Sequence, residues 1–135
     1  MPDISETSIE IRPEGFENIE LSLPINAAYI TAARQTAFSV AGKLGFDAEE
    51  TDDIKTAVSE ACVYVIKRMS GRGGAYKITF SVSSDFIYIR LSCPQTAYAA
   101  ASDRSLPLIE SLMDEVEIRD KGGVFEIIMS KRRGG

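Results

Sequence analysis

Apolar and polar residues alternate from Asn18 to Leu23, with Ile19, Leu21 and Leu23 set against Glu20 and Ser22. That period of two predicts a half-buried strand, and Pro24 closes it. The period then changes. Tyr29, Ala33, Ala37, Val40 and Leu44 recur at helical spacing and predict a helix over Ala27–Leu44, capped by Asn26 and ended by Gly45 as a left-handed residue. Ile54, Val58, Ala61, Val65 and Met69 form the core stripe of a second helix, from Asp47 to Met69. Its first turns hold Asp47, Glu49, Glu50, Asp52 and Asp53, the sign of charge a helix N-terminus favours.

Ser70-Gly71-Arg72-Gly73-Gly74 breaks the chain before a second run of alternation. Tyr76, Ile78, Phe80 and Val82 form one strand, Ser83-Ser84-Asp85 turns, and Phe86 to Leu91 returns until Pro94. Asp103 to Met113 reads as a third helix. Val116–Arg119 and Val124–Met129 then pair as a hairpin over Lys121-Gly122-Gly123. The order β-α-α-β-β-α-β-β has too few helices to cover both faces of a sheet. It predicts a two-layer α/β sandwich, with a mixed but mostly antiparallel sheet covered by helices on one face. Residues 1–17 are expected to be a flexible leader, 18–131 a single domain and 132–135 a frayed basic tail.

Composition narrows the chemistry. The chain has 135 residues, 44% of them hydrophobic and 26% charged, with a net charge of −5. An acidic chain of this kind lacks the basic face that direct nucleic-acid binding needs, and no apolar run is long enough to span a bilayer. There is no histidine, which removes the usual general base and the commonest zinc ligand. Cys62 and Cys93 are the two cysteines. Without a secretion signal they read as reduced thiols, Cys62 as a packing residue and Cys93 as a plain loop cysteine, and the chain is expected in the cytoplasm.

Three stretches carry a resemblance. They are Ala33-Arg34-Gln35-Thr36-Ala37-Phe38, Ile54-Lys55-Thr56-Ala57-Val58-Ser59-Glu60-Ala61, and Ile109-Glu110-Ser111-Leu112-Met113-Asp114-Glu115-Val116-Glu117-Ile118. With the element order, they make residues 18 to 131 resemble the anti-sigma-factor serine kinases, a branch of the GHKL (Bergerat-fold) ATPases. The resemblance implies a histidine-kinase-like ATPase fold with a shortened lid.

It also shows departures. The family's chemistry pairs an acidic residue with an asparagine one turn later, the first to position the attacking group and the second to hold Mg²⁺ through oxygen. Glu60 keeps the first place, but Tyr64 stands in the second. Cys93 takes the place of the aspartate that binds adenine, and Gln95 and Ala97 replace the glycines after it. About ten residues replace the lid, and Asp103 and Ser105 occupy its glycine positions, where an acidic side chain repels a triphosphate. These losses lead us to expect no catalytic residue (Glu60 being vestigial), no metal site and no cofactor.

The expected function is that of a non-catalytic anti-sigma-like regulator that binds a sigma factor or its anti-anti-sigma antagonist. The alternative is an active serine/threonine-protein kinase using ATP and Mg²⁺ to phosphorylate that antagonist. Arg34 matches an arginine that grips these partners in the resembled family. Ile30 and Phe38 lie one turn either side of it and complete the expected partner surface. The first helix is apolar on more than one side, and relatives commonly dimerise, so a homodimer is expected.

Overall fold

Five antiparallel strands lie side by side in the order β1-β2-β3-β5-β4. The computed structural model describes residues 16–69, 73–94 and 105–134. The strands are β1 (Glu17–Pro24), β2 (Ala75–Ser83), β3 (Phe86–Pro94), β4 (Glu115–Lys121) and β5 (Val124–Arg132). Every neighbouring pair is antiparallel, where a mixed, mostly antiparallel sheet was expected. Three helices complete the fold: α1 (Ile30–Lys43), α2 (Ala48–Arg68) and α3 (Ser105–Leu112).

The strand register explains why one face gathers the helices. Across the sheet Ile19 pairs with Phe80, Phe80 with Ile89, Ile89 with Met129 and Met129 with Val116. A second row runs through Leu21, Ile78, Leu91, Ile127 and Ile118. Because strand side chains alternate between faces, these rows put their apolar groups on one side. There all but the edge residues Ile19 and Ile118, which are exposed, join Ala33, Ala37, Ile54, Val58, Ala61 and Val65 of α1 and α2, and Ile109 of α3, in a single core. Fully burying a side chain such as Phe80 or Ile89 contributes roughly 1.5–3 kcal/mol.

Local chemistry sets the ends. Asp47 caps α2: its Oδ1 accepts from the Glu50 N–H at 2.8 Å, and Glu50 Oε1 accepts from the Asp47 N–H at 3.0 Å, a reciprocal capping box. Asn26 accepts from the Ala28 N–H at 2.8 Å. It caps a 3₁₀ turn, Ala27–Tyr29, that leads into α1, and not the α-helix itself. Tyr29 therefore leaves the predicted stripe and is exposed, while Ile30 takes the buried position. The β4–β5 hairpin turns on Gly122 and Gly123, whose φ angles of 68° and 81° suit the left-handed pair of a two-residue turn.

Two further expectations need correcting. Cys93 is not in a loop: it pairs with Phe125 within β3 and is buried. The tail does not fray at residue 132. The Arg133 N–H donates to the Asp85 carbonyl at 2.7 Å, and the Gly134 N–H donates to Glu50 Oε2 at 2.7 Å. This fastens the end of β5 to the start of α2.

Cys62 lies fully inside the core beside Tyr76. Burial pushes its thiol from about 9 up to about 11, against the opposing pull of the neighbouring Tyr76 hydroxyl and the Arg34 charge. Burial also pushes the Tyr76 phenol upward. The unfolded chain loses these protons first, so stability is fully present below pH 9 and falls as pH rises toward 11. Urea unfolding at stepped alkaline pH should show that decline begin near pH 9, and the Cys62→Ala variant should show a shallower one.

Candidate functional site

The last two turns of α2 lie over one end of the sheet. Ala57, Ala61, Tyr64 and Arg68 share a helix face at spacings of four, three and four residues. The first two are core alanines; Tyr64 and Arg68 carry that face onward to the sheet edge. Beneath them Cys93, Phe125 and Asp120 form a row across β3, β5 and β4. Asp120 follows Val116 and Ile118 in the inward phase of the edge strand, so it places a carboxylate at the end of an apolar file.

These side chains interlock on Phe125. The Tyr64 ring stacks on it with centroids 5.8 Å apart and planes 15° from parallel. Tyr64 is only 8% exposed. The Arg68 guanidinium carbon lies 3.9 Å from the Phe125 ring centroid, and Arg68 Nη2 donates to Asp120 Oδ2 at 2.9 Å. The Arg68 side chain is 5% exposed against 38% for Asp120. A desolvated guanidinium over a ring is worth about 2 kcal/mol, and the carboxylate answers its charge. Arg68 Nε is buried without a hydrogen-bond partner among the described residues, a cost the stack offsets. Burial raises the Cys93 thiol above its ordinary value; the Arg68 charge lowers it and the Asp120 charge raises it further.

The residues singled out in the sequence fall around this row. Glu60 stands one turn before Tyr64 and is partly exposed. Tyr64 and Cys93 come together at Phe125. Gln95, Ala97 and Asp103 lie outside the described residues, as does the short connection that replaces the lid. Ser105 is the first residue of α3. Among the described residues no three His, Cys, Asp or Glu side chains converge as a metal site would require.

Arg68, Phe125 and Asp120 were not picked out in the sequence. Part of the signal was present: Arg68 stands in the apolar phase of the predicted second helix, and Asp120 keeps the phase of Val116 and Ile118 one residue past the predicted strand. Two such opposite charges call for each other.

A second patch lies on the outer side of α1 and α2. Arg34 Nη1 donates to Ser59 Oγ and Nη2 to Thr31 Oγ1, both at a long 3.4 Å. Phe38 is 53% exposed, and Lys55 Nζ lies 5.6 Å from its ring centroid. Arg34, Gln35, Phe38 and Lys55 line a shallow cleft of about 220 Å³. Ile30 does not belong to this surface: it is buried in the core, because the 3₁₀ turn rotates it inward.

An antiparallel sheet with helices on one face, and a long helix packed over that face, is the architecture of the histidine-kinase-like ATPase class. Residues 23–131 match the family model of the histidine kinase-like ATPase domain, and the chain belongs to that family. Relatives within it are serine-protein kinases RsbW. That of Halalkalibacterium halodurans is 27% identical, spanning 80% of this chain and 79% of its own. That of Oceanobacillus iheyensis is 29% identical, spanning 86% and 87%. In structure the chain is similar to the RsbU and RsbW domains of Rv1364c from Mycobacterium tuberculosis, with a TM-score of 0.72 at 14% identity. That likeness is one of fold; it covers 87% of this chain and 32% of the longer one. These matches agree with the anti-sigma serine-kinase resemblance read in the sequence. No described helix is long and apolar enough to cross a membrane.

The stack makes a stability prediction. Arg68→Ala should cost about 2–3 kcal/mol, from the lost ring contact and the cavity left over Phe125. Arg68→Met keeps an apolar stem on the ring and frees a half-exposed Asp120 to water, so it should cost only about 1 kcal/mol. Denaturant unfolding of the two variants checks the difference; equal losses would mean the ring contact contributes nothing.

Proposed function

We propose that this chain is a non-catalytic anti-sigma-type regulator, which binds a sigma factor or its anti-anti-sigma antagonist and transfers no phosphate. The observation that carries this reading is the packing of Tyr64 and Arg68 on Phe125. By the resemblance, the helix position of Tyr64 belongs to an oxygen ligand for Mg²⁺. A buried phenol stacked on a ring is a poor ligand for a hard cation. The strand position of Cys93 belongs to an acceptor for the adenine amine, and a buried thiol beside a paired guanidinium does not supply one. The residues present therefore fit neither the metal nor the nucleotide.

The partner surface in this reading is the α1–α2 patch around Arg34 and Phe38. A guanidinium steadied by Ser59 and Thr31, next to an exposed ring, combines directional charge with an apolar anchor. Lys55 adds a second cation beside that ring. In a chain of net charge −5 such a patch favours an acidic partner segment. The protein acts in the cytoplasm in this account, as a homodimer and without a cofactor.

The second reading, an active serine/threonine-protein kinase using ATP and Mg²⁺, is favoured by the retained Glu60 and by the names of the relatives. Calorimetry separates the two. Titration with ATP and Mg²⁺ should give no saturable heat up to millimolar nucleotide. Micromolar binding, with phosphate transfer to an anti-anti-sigma protein that Glu60→Gln abolishes, would establish the kinase instead.

A further inference from the structure

The sheet ends in β4, and no described strand lies beyond it. Alternate backbone N–H and C=O groups along its outer edge are a template for another strand. Ile118 stands at the middle of β4. It keeps the inward phase of Val116, yet at this edge it is 37% exposed.

Edge strands commonly carry charge that discourages pairing. The charges of β4 are ordered differently. Glu115 and Glu117 precede Ile118, and Arg119 and Lys121 follow it. Glu115, Glu117 and Arg119 share the phase that faces away from the helices. Reversing the strand about Ile118 therefore exchanges acid for base at each place. Within one copy Arg119 Nε already lies 3.1 Å from Glu117 Oε2, so charges in this row are within reach of one another. The opposite edge strand, β1, has only the acids Glu17 and Glu20 and offers itself no such match.

The order of charges also selects a register. A two-fold axis normal to the sheet keeps the helices of both copies on one side and pairs residues of equal phase. It must then pass through a residue. At Glu117 it sets two carboxylates against each other, and at Arg119 two guanidiniums. At Ile118 it sets Ile118 on Ile118, Glu117 on Arg119 and Glu115 on Lys121, with no like charges opposed. Val116 then faces Asp120, whose carboxylate is already bonded to Arg68. Parallel pairing in register opposes like charges at every place.

We propose that a second copy of this chain pairs with β4, antiparallel about Ile118, joining the five strands of each copy into one continuous sheet. The inference rests on the homodimer reading above and gives that dimer its surface. Opposed charges set the register, and the two isoleucines extend the core across the axis.

The charge order itself supplies the test. Sedimentation equilibrium of the full chain should show a monomer–dimer equilibrium. Arg119→Glu alone, or Glu117→Arg alone, opposes like charges twice, and each should weaken dimerisation about tenfold or more. An equimolar mixture of the two variants sets acid against base at both places again, so it should dimerise about as well as the parent chain. That rescue cannot come from a general loss of folding in either variant. A dimer indifferent to both reversals, or a mixture that restores nothing, would overturn this surface and leave the homodimer to form elsewhere. A parent chain that stays monomeric at millimolar concentration would overturn the surface and the homodimer together.

Discussion

An arginine taken out of water must have its charge answered, and in this fold one answer holds two elements together. Arg68 ends the longest helix, Asp120 lies on the edge strand, and Phe125 of the neighbouring strand lies beneath the guanidinium. Breaking a pair of this kind is costly because one charge is left stranded in a poorly hydrated place. The end of α2 is therefore fixed over β5 and β4. Tyr64, one turn earlier on the same face, is fixed with it. A ring and a guanidinium thus share Phe125 at this end of the helix.

The same helix serves the outer surface. Ser59 accepts from Arg34, and Lys55 lies over Phe38, on turns of α2 that precede Tyr64. One element thus carries the Tyr64–Arg68 stack at its C-terminal end and part of the Arg34–Phe38 patch nearer its start.

Much of this was legible in the residues. Alternation gave β1 to β3, the Gly122-Gly123 turn gave the β4–β5 hairpin, and the helical period gave α1 and α2, because a sheet with one covered face and helices with one buried stripe write their burial directly into the sequence. The capping box of α2 was foreshadowed by its acid-rich first turn. What was not legible depended on long-range placement. Nothing local marks Ala27–Tyr29 as a 3₁₀ turn, so the stripe of α1 was drawn one residue early, with Tyr29 inside and Ile30 outside. The anchoring of Arg133 and Gly134 joins residues far apart in sequence. Tyr64 was flagged for what it displaced, while Arg68 and Asp120 were not picked out because each has its reason only in the other.

The most direct measurement is a crystal structure of the protein grown in millimolar ATP and Mg²⁺. The account predicts Tyr64 stacked on Phe125, Arg68 bonded to Asp120, and no nucleotide density between α2 and β3. Adenine seated beside Cys93, with phosphates where the Tyr64 ring had been and that ring swung aside, would contradict it.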